Sequence, residues 1–87
     1  MVIVEPGELR RFAAFLVECA GDIRAAESAS TDSFSQLKKD WRDDKMRAFE
    51  PKYNVAVAEL DSFTNVCARY AEYLEDKARR IDRYLGG

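Results

Sequence analysis

This 87-residue chain has no histidine, only two cysteines, four glycines, two prolines and one tryptophan. Each shortage closes off a class of function. Without histidine there is no Ser/His or Cys/His pair to activate a nucleophile, and no imidazole to complete a zinc site. Cys19 and Cys67 stand far apart with no further ligand at metal-site spacing. Carboxylates are plentiful, but they sit among alternating charges and form no acid/base constellation. The residues point to a non-enzymatic protein with no catalytic residue, no cofactor and no metal.

Long apolar runs are missing as well. The opening "MVIVEPGELRR" holds a four-residue apolar run stopped by Glu5 and Pro6, with no basic residue before it, too short for a signal-peptide core. No window approaches a membrane span. Lys and Arg number 14 against 16 Asp and Glu, a net charge of −2. The two signs are interleaved, which leaves no basic stripe to track phosphates, and nucleic acid is not an expected partner. With 47% apolar and 34% charged residues, the chain is neither disordered nor a loop-rich disulfide scaffold. A single all-α domain follows, at a size where one core is marginal and a partner chain is to be expected.

What is present is helical rhythm. Leu9, Phe12, Leu16, Cys19, Ile23, Ala26, Ser30, Phe34, Leu37 and Trp41 recur at spacings of three and four, the seam of an amphipathic helix over about 7–40. After the charged stretch "RDDK" the rhythm returns from Met46 through Phe49, Tyr53, Ala56, Leu60, Phe63, Cys67, Tyr70, Leu74, Lys77 and Ile81 to Tyr84, a second helix over about 45–85. The Ser/Thr/Asp-rich "ESASTDSFSQ", with Ser33 and Gln36 in a capping-box pattern, would permit a break near residue 31, although the seam keeps its phase across it. Pro51 allows the second helix either to begin at Pro51 or to begin at Asp43 or Asp44 and continue with a kink; Met46 and Phe49 hold the phase and favour the latter.

Two helices joined by a short tip at about 41–44 bury their seams only by folding back antiparallel. With the tip near residue 43, facing residues have numbers summing to about 86. Leu37 then meets Phe49, Ala26 meets Leu60, Ile23 meets Phe63, Cys19 meets Cys67, Leu16 meets Tyr70 and Phe12 meets Leu74. Cys19 and Cys67 in one layer are either two buried thiols or a disulfide pinning the arms. Phe15, Val17, Val57, Val66 and Tyr73 flank the seams and widen the apolar stripe beyond what one helix covers. They form the expected partner interface, buried when two hairpins pair into a four-helix bundle. Tyr70, Tyr73 and Tyr84 read either as packing or as an aromatic docking strip. The basic "KARRIDR" complements the helix C-terminus, and Gly86 and Gly87 end the helix.

A chain of this length, with two long helices and a tryptophan at the hairpin tip, resembles the WXG-motif family of early-secreted-antigen type, the small bacterial substrates of type VII secretion systems. In that family the turn reads Trp, any residue, Gly, then a small residue and an aromatic about two turns on. Here Trp41 stands in place, Asp43 occupies the glycine position, Ala48 and Phe49 supply the small and aromatic residues, and Tyr53 falls where a second aromatic is common. The resemblance implies a hairpin that pairs with a copy of itself or with another hairpin. It implies contacts with a larger secreted toxin or a secretion ATPase, and passage from the cytoplasm without a cleaved signal. Trp41 then reads either as a recognition surface or as a plug closing the bundle. The family's export signal is a tyrosine with Asp or Glu one turn further on. Here Leu74 follows Tyr70 and Lys77 follows Tyr73 at that spacing, while Asp76 comes one residue early after Tyr73, rotated by about 100°. Such a signal is therefore absent or carried by a partner. Outside that pathway, the same hairpin would serve as a cytoplasmic adaptor or chaperone for a toxin or effector.

Overall fold

A computed structural model describes residues 4–86 as two long helices, α1 (Pro6–Leu37) and α2 (Asp44–Gly86), folded back on each other as an antiparallel hairpin. Gly87 lies outside the described residues, and Gly86 is the last residue of α2. Pro6 opens α1 in the first turn, where its missing N–H is no loss, and the Glu5 carbonyl accepts from the Glu8 and Leu9 N–H groups. The helix runs unbroken through "ESASTDSFSQ", and the Ser30 hydroxyl donates back to the Glu27 carbonyl at 3.1 Å. It ends three residues earlier than the periodicity suggests. From Lys39 the hydrogen bonds shorten to three-residue steps, Lys39 to Gln36 and Asp40 to Leu37, so the link spans 38–43. Asp43 then caps α2, its Oδ1 accepting from the Met46 N–H at 3.0 Å. Pro51 lies two turns inside α2, where it removes one helical hydrogen bond without ending the helix.

The seam between the helices is built from small residues. Ala13, Ala20, Ala71 and Ala78 are 0–4% exposed, Thr64 and Cys67 are each 2% exposed, and Leu9 is buried. Leu16, Ile23, Phe34, Trp41, Met46, Tyr53, Val57, Leu74 and Ile81 are half-buried along the same line. Phe34 and Tyr53 touch, with ring centroids 5.1 Å apart, and their numbers add to 87. The same register sets Leu9 opposite Ala78, Leu16 opposite Ala71, Ala20 opposite Cys67 and Ile23 opposite Thr64, all buried or half-buried.

Alternate seam positions therefore fall one residue beyond the apolar rhythm. Ala13 replaces Phe12, Ala20 replaces Cys19, Thr64 replaces Phe63 and Ala71 replaces Tyr70, while Phe12, Phe63 and Tyr70 are exposed. One residue is about 100° on a helix, so this turns the aromatic rings from the seam to its flank. In this register each seam alanine faces a larger apolar side chain, Leu9, Leu16, Leu74 or Cys67, so the helices pack closely, and rings at the alanine positions would hold them apart. The hairpin is a thin rod, 66 × 20 × 13 Å. No helix in it is long and apolar enough to cross a membrane.

Candidate functional site

The hairpin has two broad faces, each showing one flank of both helices. Arg10 and Asp82, each directly after a seam residue, form an ion pair across the helices and mark one face. The residues directly before Ala13, Ala20, Thr64 and Ala71 lie on the other. That second face carries Phe12, Phe15, Phe63, Val66, Tyr70 and Tyr73, all between 37% and 61% exposed. The Phe12 and Phe15 rings stack at 6.3 Å on it. Beside them Phe15, Glu18, Cys19, Asp22, Ile23 and Ala26 line a shallow concavity. Most of these residues lie in the half of the rod away from the tip, while Phe63, Ile23 and Ala26 stand near its middle, on the tip side. Towards the tip the same face of α1 offers only the small or polar Ala29, Ser33 and Gln36.

The opposite face is polar and close-knit. Besides Arg10 and Asp82 it holds Lys38, whose Nζ lies 2.5 Å from the Glu50 carboxylate. Its apolar part is a shallow dip lined by small or slender side chains, among them Ala14, Val17 and Ala68. Near the middle of the rod Glu27 takes a half-buried seam position, with its Oε1 enclosed and without a hydrogen-bond partner. The neighbouring Asp61 carboxyl, with which a protonated Glu27 would share a hydrogen bond, raises the Glu27 pKa above the ordinary 4.5. Burial and the Asp61 charge add to the rise, and Arg24 opposes it.

At the tip the three turn-motif residues come together. Trp41 and Phe49 lie 6.0 Å apart, and both rings pack on Phe34, at 6.5 and 5.4 Å. Tyr53 completes the cluster, its hydroxyl 2.5 Å from Ser30 Oγ, and the Lys38 ammonium sits 5.3 Å from the Phe34 ring centre. Asp43 supplies the cap that starts α2 beneath them. Trp41 is half-buried, partly plugging the hairpin end and partly facing out.

The five flanking residues expected to form one interface are divided. Phe15, Val66 and Tyr73 share the aromatic face, Val17 lies on the opposite face, and Val57 is half-buried in the seam between α1 and α2. Cys67 is buried opposite Ala20, Cys19 is half-buried on the aromatic side, and neither forms a disulfide. Their shared layer is lost through the same one-residue turn that exposes the rings. Phe12, Phe63 and Tyr70, read from spacing as core, are surface residues. Among the described residues no group of three or more Cys, Asp or Glu is placed to hold a metal ion. No family model, curated protein or solved structure matches the chain. The fold is that of an all-α helical hairpin.

Proposed function

We propose that this chain is a WXG-type protein, a small substrate or escort partner of a type VII-like secretion system that acts by helix-to-helix recognition. The observation that carries the reading is the aromatic face. A helical hairpin with its core already closed by alanines exposes six large apolar side chains on one side, more than a two-helix rod needs for its own stability. The tip cluster of Trp41, Phe49 and Asp43 supports the same reading, because it sits where the family resemblance puts its turn motif. Charged flanks choose among partners, and the apolar face supplies the affinity.

An export assay in strains with and without the secretion ATPase tests this. Appearance of the chain outside the cell only in the ATPase-containing strain is the expected result. Retention in both strains, with a candidate partner co-expressed, removes the secretion reading. A second reading, a cytoplasmic adaptor for a toxin or effector, is favoured by one observation: neither Tyr70 nor Tyr73 is followed by an acidic residue one turn on.

A further inference from the structure

We propose that the hairpin carries a redox switch: a disulfide closed between Cys19 and Cys67 turns α1 about its axis and takes Phe12 off the aromatic face. Cys67 is buried in the seam opposite Ala20, and Cys19 is half-buried beside that layer. A side chain that enters a neighbouring helix settles in a hole formed by four residues, spaced i, i+3, i+4 and i+7. For Cys67 the register gives Leu16, Cys19, Ala20 and Ile23, and all four are buried or half-buried. Helices ~8–10 Å apart, with Cα atoms ~2.3 Å from each axis, leave directly facing Cα atoms roughly 3.5–5.5 Å apart, a range that overlaps the ~4.4–6.8 Å spanned by a disulfide. Cys19 reaches the facing position by a fraction of the ~100° that separates it from Ala20.

The turned position has an apolar lining ready for it. Phe12, Cys19 and Ala26 stand seven apart, so they follow one line along α1 that drifts by only about 20° per step. Leu16 and Ile23 lie between that line and the alanine line and stay inside in both arrangements. Turning Cys19 towards Cys67 therefore carries Phe12 inward, opposite the half-buried Leu74, and turns Ala13 and Ala20 outward. Cys19 also lines the open concavity together with Phe15, Glu18 and Asp22, and the two carboxylates there favour a cationic disulfide such as cystamine. The Cys19 thiolate attacks one sulfur of cystamine, forming a mixed disulfide and releasing one thiol. The Cys67 thiolate then attacks the Cys19 sulfur, forming the intramolecular bond and releasing the second thiol. Two electrons pass from the two cysteines to cystamine, and the protons that the cysteines lose end on the two released thiols.

Closure is tested on the parent chain at about 1 µM, where mass action disfavours crosslinks between copies. After cystamine treatment, mass spectrometry is expected to find the chain lighter by its two thiol hydrogens, with the parent mass restored by a reductant. A product that keeps cystamine adducts, or a crosslinked pair of chains, overturns the closure. Phe12→Trp, combined with Trp41→Phe so that it supplies the sole indole, reads the turn. Circular dichroism verifies that this variant keeps its helices. On closure its emission is expected to shift to the blue and to lose iodide quenching. A further Cys67→Ser change, which allows only the mixed disulfide at Cys19, is expected to leave both unmoved. A closed chain whose emission and quenching stay as they were overturns the turn of α1. Neither readout depends on the recognition reading above, so an absence of ATPase-dependent export removes that reading and leaves the switch standing.

Discussion

At the scale of single residues, Asp43 and Glu27 set the two ends of the local energetics. Asp43 stands where the family resemblance has glycine, and its side chain caps α2 through the Met46 N–H. Asp43→Ala should lower stability by about 1 kcal/mol, measured by urea unfolding, and should fray α2 up to Phe49. Glu27 works the other way. Its folded-state pKa is raised, so between 4.5 and that higher value the folded chain binds more protons than the unfolded one. Its contribution to stability is full below 4.5 and is lost as pH rises through the folded value. Glu27→Gln should therefore raise the Tm at pH 7, and the difference from the parent should shrink below pH 4.5. An unchanged Tm at pH 7 would show that Glu27 does not oppose folding there.

At the scale of the elements, the seam carries the packing and the aromatic flank is the surface the proposed recognition would use. Ala78 is fully enclosed, so Ala78→Leu should overpack the hairpin and cost about 1–3 kcal/mol in thermal unfolding of the isolated chain. Tyr70→Ser changes an exposed ring, so it should leave helix content unchanged by circular dichroism while weakening association. Both helices were legible from spacing, because apolar residues recur at three and four over more than thirty positions in each. The cap at Asp43 was legible from its residue type. The seam was misplaced by one residue at alternate positions, since Phe12, Phe63 and Tyr70 out-compete Ala13, Thr64 and Ala71 in any ranking by hydrophobicity. Two adjoining apolar stripes run along each helix, and spacing cannot tell which one faces the sister helix. The close fit of alanines on one helix against leucines and Cys67 on the other decides it, and that fit depends on both helices at once.

At the scale of the whole molecule, a 66 Å rod only 13 Å thick has far more surface than one alanine seam can stabilise. A small core beside a broad, exposed aromatic face is what the proposed recognition of a partner would complete. The shape and the exposed aromatic face favour two rods lying side by side. The most direct test of this is the molar mass of the purified chain, by light scattering on a sizing column at tens of micromolar. The account predicts about 20 kDa, twice the 9.9 kDa of one chain, with unfolding that becomes harder as concentration rises. A single 9.9 kDa species, fully helical and melting cooperatively at a concentration-independent temperature, would contradict it.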